Sequence, residues 1–379
     1  MPAERKFQLM IIKNANVLNS DFKFVTTDLE IDGGIFKSIG KTDGDGLDLD
    51  GKYVVPGLID IHIHGAMGAR CDDKSESSVY TVAEYLLKSG ITSFAYTISS
   101  RSDDETKRAI ENCAAYVKDG EKHAKVAGIH MEGPYLSLAK KGGMNKTRIR
   151  RPDIEEFNRY YEASGGLLKL ITVAPEVDGA IDFIKEASKL CTVSMGHTDT
   201  DYDTAKLAIE SGAKHVTHTF NAMRSYGHRD PALLGAAFDT DVMCECISDG
   251  YHLSPTTVRM LYRLVGEERL VLISDACFAG LADGKYSSNN HNITVKDGLA
   301  TKDDGTISGS CFNLLHSTRQ AIKFGIPMEH AFKCATINPA KVMKIDDKVG
   351  SISEGKCADF LVLDEELNLV SVYKNGELV

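Results

Sequence analysis

No apolar run in this 379-residue chain approaches the roughly 20 residues that cross a bilayer, and the apolar stretch in MPAERKFQLMIIKN is too short for a signal peptide. No membrane partner is therefore expected. No block of lysine or arginine stands out either. With a net charge of −10 and a pI of about 5.7, nucleic acid and anionic membranes are poor partners, and an anionic small substrate would need a local basic contact. The nine cysteines, an odd number scattered from Cys71 to Cys357, contain no CxxC pair, the usage expected of a reducing cytoplasm. Cys244 and Cys246, in VMCECI, read as strand packing. There is no GxSxG elbow and no GxGxxG or GxxxxGKS/T phosphate loop. The glycines of GTISG, Gly305 to Gly309, read by default as a loop. Short-period repeats, low-complexity segments and an obvious linker are also missing.

What is present divides the chain into ends and middle. Residues 7 to 55 alternate in short runs broken by turn residues, with a hairpin signal at Asp32-Gly33-Gly34, and the tail CADFLVLDEELNLVSVYKNGELV repeats the pattern with Asn375-Gly376. Neither end is long enough for a core alone. The expectation is one small β-sandwich domain built from 1–55 and 345–379. In the middle, apolar strand candidates at 58–64, 91–98, 126–131, 168–174, 191–196, 215–220, 242–248 and 270–275 alternate with helical stretches. Ser102-Asp103-Asp104-Glu105 is a capping box. Ser254-Pro255 starts another helix, which should stop at Gly266, and others should stop before Gly90 and Gly212. Near-continuous apolar strands joined by helices are parallel strands buried on both faces. Eight such units make an α/β fold of the (β/α)8 TIM-barrel type over 56–344.

Active-site residues of such a barrel lie at the C-terminal ends of its strands. There the sequence has His62 and His64, His130 and Glu132, His197, His215 and His218, Asp249 to His252, and Asp275. Singly, each has a plainer reading. An HxH pair can be two satisfied histidines, Glu132 a salt-bridge partner, Asp275 a helix cap, and His130 and His215 packing residues. Together, at the ends of strands one, three, five, six and eight, they point to a divalent metal. His62 and His64 lie two apart on a strand and face the same way. Buried imidazoles need a partner, and imidazole with carboxylate suits zinc, iron, cobalt or manganese.

PGLIDIHIHG, GIHMEGPYL, SMGHTDT, VTHTFNAM and LISDA together resemble the amidohydrolase superfamily, and more narrowly its N-acetylglucosamine-6-phosphate deacetylases. The resemblance runs from VVPGLID to GSISEGKCADFLVLD. It implies hydrolysis of the acetyl group of an amino-sugar phosphate in amino-sugar catabolism. His197 and His218 would bind one metal with Glu132. His62 and His64 would hold a second, with Glu132 bridging. Asp275 would be the catalytic carboxylate and a ligand of the second ion. Some members lack the HxH pair and use one metal; keeping it favours two. Gly143, Asn221 and Ala222 would contact the sugar phosphate. Arg229 would grip the phosphate from a neighbouring subunit, which implies a homodimer. His252 would contact the sugar or polarise the acetyl carbonyl, and Ile307, Ser308 and Gly309 would lie near the acetyl group. The family's KKG-x-H-N loop has Met144 in place of the histidine, which leaves a gluco or galacto substrate open. A rival amidohydrolase would bridge its metals with a carbamylated lysine late in strand four, where only Lys169 is available, near the strand's start. A non-catalytic sugar-phosphate sensor would be expected to lack ligands that this chain keeps.

Overall fold

Eight parallel strands form one sheet in a computed structural model that describes residues 9–288 and 291–379. The expectations for residues 1–8, including the start of the 1–55 segment, lie outside the described residues. In chain order the barrel strands are Leu58–Ile63, Ile91–Ser99, Lys125–Glu132, Leu168–Val173, Thr192–Met195, His215–Val216, Met243–Ile247 and Leu270–Ile273, called strands one to eight below. Each pairs with its sequence neighbour. Past strand eight, the Asp275 N–H donates to the His62 carbonyl at 2.9 Å and Ile63 bridges Ala276, so the last strand meets the first. Eight helices, Ser77–Lys88 through Leu314–Lys323, follow the eight strands.

Local chemistry sets the helix ends. Ser102 Oγ accepts from the Glu105 N–H while the Glu105 carboxylate accepts from the Ser102 N–H at 3.0 Å, the expected capping box. Ser254 caps Pro255–Arg269, and helical geometry breaks at Gly266. The helices pack their apolar faces (Val79, Val82 and Leu86 in the first) against the outer faces of the strands. Inside the barrel, Ile59, Ile61, Leu170, Ile247 and Val271 pack with Ala340, Val342 and Met343 of helix Ile337–Met343 in a separate cluster. Each such fully buried aliphatic side chain contributes about 1.5–3 kcal/mol. The polar layer at the C-terminal ends of the strands thus rests on an apolar floor.

The two ends of the chain meet in a second sheet. Its order is Glu377–Leu378, Leu369–Lys374, Phe360–Leu363, Tyr53–Pro56, Met10–Leu18, Phe24–Asp32 and Ile35–Ile39, with Leu47–Asp48 also on Met10–Leu18. Period two splits its side chains between two cores. Phe360 and Val362 join Ile12, Val17 and Val54 in a core of the sheet's own, while Leu361, Leu363 and Val55 face the barrel. Both expected hairpins form. Gly33-Gly34 and Asn375-Gly376 have φ of 61°, 81°, 51° and 75°, the positive values that a two-residue I′ turn requires.

Two expectations need correction. Strand six was drawn over 215–220, but ladder pairing stops at Val216. His218 and Phe220 take φ of 30° and 78°, so the chain turns out of the sheet there. The loop read at 305–309 is a turn only at its start: Ile307–Ser310 is a strand. With Gly284–Ser288, His291–Lys296 and Leu299–Lys302 it forms a four-stranded antiparallel sheet inserted after strand eight.

Candidate metal centre and its cavity

Glu132 ends strand three, in register with Ser99 of strand two and Thr172 of strand four. Four imidazoles converge on its carboxylate. His62 Nε2 is 3.3 Å from Oε1 and His64 Nε2 3.1 Å from Oε2. His197 and His218 each bring Nε2 to 3.1 Å from Oε1, and those two nitrogens are 3.1 Å apart. Asp275 Oδ1 lies 3.3 Å from His64 Nε2 and 3.5 Å from His62 Nε2. The result is two triads sharing one residue: His62, His64 and Glu132, and Glu132, His197 and His218, all buried. His197, His218 and Asp275 sit just past their strands with left-handed φ of 47°, 30° and 48°. Such φ values are uncommon for residues other than glycine and concentrate at functional sites.

The imidazoles are turned by their other nitrogens. His62 Nδ1 is 2.9 Å from Glu245 Oε2, His64 Nδ1 3.2 Å from Ser99 Oγ, and His197 Nδ1–H donates to the Lys140 carbonyl at 2.8 Å. A proton on Nδ1 leaves the Nε2 lone pair aimed at the centre. Glu245 also accepts from the His218 N–H at 2.8 Å, so one carboxylate orients two corners. Buried His130 and His215 lie outside the cluster, bonded to Thr172 Oγ1 and Ser194 Oγ.

A divalent ion fits this donor set. His62 Nε2 is buried and makes no hydrogen bond, despite carboxylate oxygens at 3.3 and 3.5 Å. Tetrahedral zinc–nitrogen bonds of about 2.0–2.1 Å set donor atoms roughly 3.3 Å apart, close to the observed spacing. Burial opposes charge on Glu132, yet the facing His62 and His64 hold its carboxyl well below the usual range. For His62 the balance runs the other way: burial opposes its charge, but Glu245 and Glu132 raise its pKa well above the ordinary value. A bound cation would hold these carboxylates without calling for protonated imidazoles.

Above the centre is a cavity of about 270 Å³. His64, Glu132, His197, His218 and Asp275 form its base, and His62 lies fully buried beneath. Asn221 and Ala222 line one part, Gly143 and Met144 another, and Ile307, Ser308 and Gly309 a third. Only glycine fits at 309: φ is 77°, and a Cβ would come within 2.6 Å of Cys277 Sγ and 2.9 Å of the Asp275 carbonyl. His252 also lines the cavity, with Nδ1 2.7 Å from Asp249 Oδ2; burial opposes its charge, but Asp249 raises its pKa overall. Arg229 is exposed and does not line this cavity. Lys169 lies elsewhere too, its Cγ beside Gly128, so it offers no bridge to the centre.

Sequence reasoning overlooked Glu245, Arg70, Cys277 and Lys302. The signal for Glu245 was a lone carboxylate in the apolar strand MCECI, fully buried in the fold. Glu245→Gln is expected to weaken metal binding by about 10–100-fold, the range for partners behind metal-ligating histidines. Competition against a chelating dye checks this, and unchanged affinity would rule it out.

Residues 53–379 match the amidohydrolase family. The N-acetylglucosamine-6-phosphate deacetylase of Bacillus subtilis is 33% identical over 334 residues, 86% of this chain and 84% of that protein. This chain belongs to the amidohydrolase family. Solved structures carry the likeness beyond the barrel. A crystal structure of N-acetylglucosamine-6-phosphate deacetylase from Pasteurella multocida superposes with a TM-score of 0.92 at 28% identity, covering 98% of this chain and 100% of that one. That of the enzyme from Mycobacterium smegmatis gives 0.91 at 30%, with 98% and 100% covered. The likeness therefore includes the sheet made by the two chain ends. Amidohydrolases are generally metal-dependent, and the two triads around Glu132 suit that chemistry.

Proposed function

We propose that this amidohydrolase hydrolyses the N-acetyl group of N-acetylglucosamine 6-phosphate, releasing glucosamine 6-phosphate and acetate in amino-sugar catabolism. The observation that carries the reading is the convergence of both triads on Glu132 at the base of a cavity that Asp275 and His252 also line. Relatives at 31–33% identity over most of the chain bear this deacetylase name.

An amide is a poor electrophile and water a poor nucleophile. His197, His218 and Glu132 would hold one divalent ion, and His62 and His64, with Glu132 bridging and Asp275 beside them, a second. Zinc or iron suits these donors, with cobalt and manganese the other choices. Such an ion lowers the pKa of bound water from 15.7 to about 7 and polarises a carbonyl. Asp275 takes the proton of the attacking water and passes it to the leaving amine, which departs only when protonated. His252, held by Asp249, directs Nε2 to the acetyl oxygen as negative charge develops there. Gly143, Asn221 and Ala222 flank the sugar, and Ile307, Ser308 and Gly309 the acetyl group.

The reading extends to organisation. The division into a β unit of 1–55 with 345–379 and a catalytic barrel of 56–344 is part of this proposal, residues 1–8 lying outside the described ones. The enzyme works in the cytoplasm as a homodimer in which Arg229 reaches the phosphate bound by the neighbouring subunit. All nine cysteines are free thiols, and no helix among the described residues is long and apolar enough to cross a membrane. Arg229→Ala is expected to raise KM for the phosphorylated sugar with little effect on the unphosphorylated one; equal effects reject the assignment.

The deciding experiment is a turnover panel of N-acetylhexosamine 6-phosphates, with metal content measured on the same sample. Acetate release from the gluco isomer supports the reading. Preference for the galacto isomer transfers it to that substrate, an outcome that Met144 in the cavity wall keeps in play. No acetate from any member, with metal bound, rejects it.

A further inference from the structure

Besides its histidines, the cavity is lined by two cationic side chains, Arg70 and Lys302. Arg70 is committed to the protein. Its Nε is 3.0 Å from Asp72 Oδ1 and its Nη2 donates to Ser99 Oγ at 3.3 Å. Asp72, fully buried at its carboxylate, also pairs with Arg101 at 2.8 Å. Lys302 differs. It ends the strand Leu299–Lys302 of the inserted sheet, and its ammonium donates to the Gly143 carbonyl at 3.0 Å. Among the described residues it forms no ion pair. Burial first, then repulsion by Lys141, pulls its pKa down, and Asp304 offsets part of this. Lys302 therefore places at the cavity wall an ammonium whose recorded hydrogen bond goes to a neutral backbone carbonyl.

The loop facing Lys302 explains the need for it. Gly142, Gly143 and Met144 present backbone and an apolar side chain to the cavity, and no charge. The cavity base carries Glu132 and Asp275, and the whole chain is −10. A phosphate dianion entering this field needs a cation close at hand. We propose that Lys302 grips the 6-phosphate of the substrate from within the same chain, supplying the charge that Met144 in the same cavity wall does not. The proposal rests on the reading of the substrate as a sugar phosphate. It makes the inserted sheet a specificity element, with Lys302 on one strand and Ile307, Ser308 and Gly309 on the next.

A purely structural role is the alternative: Lys302 would latch the inserted sheet to the Gly143 loop. Two variants of the metal-loaded, full-length enzyme separate the two. Lys302→Met removes charge and donor. Lys302→Gln removes the charge but keeps an N–H donor for the Gly143 carbonyl, on a side chain one methylene shorter. KM and kcat are measured on N-acetylglucosamine 6-phosphate and on N-acetylglucosamine. A hydrogen bond to a charged group is worth roughly 10- to 100-fold in affinity. The expected result is a KM increase of that size for the phosphorylated sugar in both variants, with kcat and the unphosphorylated reaction nearly unchanged. Loss confined to Lys302→Met, or equal loss on both sugars, makes Lys302 a latch and overturns the proposal. Unchanged KM in both variants overturns it as well. Failure of the parent enzyme to deacetylate either sugar overturns the functional reading, and this proposal with it.

Discussion

Glu132→Gln is expected to strip the protein of stoichiometric metal and reduce deacetylation to background. Glu132 alone belongs to both triads, with Oε1 facing His62, His197 and His218 and Oε2 facing His64. An amide in its place offers one neutral oxygen, and its NH₂ donates rather than accepts. One of the two sets of nitrogens then faces a hydrogen-bond donor. Changes to groups one step behind a metal ligand already lower affinity about 10–100-fold, so loss of the shared ligand itself should exceed 100-fold. Metal analysis after gel filtration and an activity titration against added zinc check this. Full occupancy with near-normal turnover would remove Glu132 from the centre.

Asp275→Asn should separate chemistry from metal binding. Burial alone would raise the Asp275 carboxyl, but His62 and His64 bring it down to about 2, so it is ionised at neutral pH and able to accept a proton. Asparagine keeps the size and the N–H bond to the His62 carbonyl but cannot carry a proton between water and amine. General acid–base groups contribute about 10²–10⁴ in rate, and kcat should fall by that factor. The triad of Glu132, His197 and His218 contains no Asp275 atom, so at least one ion per chain should remain. Near-normal kcat with metal bound would sink the proton-shuttle role.

Periodicity explains what could be read without coordinates. Eight apolar runs spaced by capped helices suit a barrel, whose parallel strands are buried on both faces, and seven of the eight observed strands lie within two residues of their expected ends. His62 and His64 were legible for the same reason, since period two puts them on one side. The left-handed residues were not legible. His218 lies within the β-branched, aromatic run VTHTF, which favours extended chain. What overrides that preference is a tertiary contact, the His218 N–H on Glu245. Glu245 itself was hidden because a carboxylate inside an apolar strand announces burial but not its partner, 183 positions away at His62. The inserted sheet did carry a signal, Asp297-Gly298 between the alternating runs HNITV and LATK, with φ of 51° and 82°. Its strands are polar and short, and they add nothing to the eightfold rhythm that organises the rest.

The neighbour of Tyr53–Pro56 on one side is Phe360–Leu363. A ribosome adding about 5–20 residues per second makes the first of these strands roughly 15–60 s before the second. For that interval Val55 has no cover from Leu361, and the hydrogen-bonding edge of Tyr53–Pro56 stands open to any other extended chain. Closure of this sheet edge thus waits for Phe360–Leu363, and a nascent chain stalled short of that strand would present a sticky strand border to its surroundings.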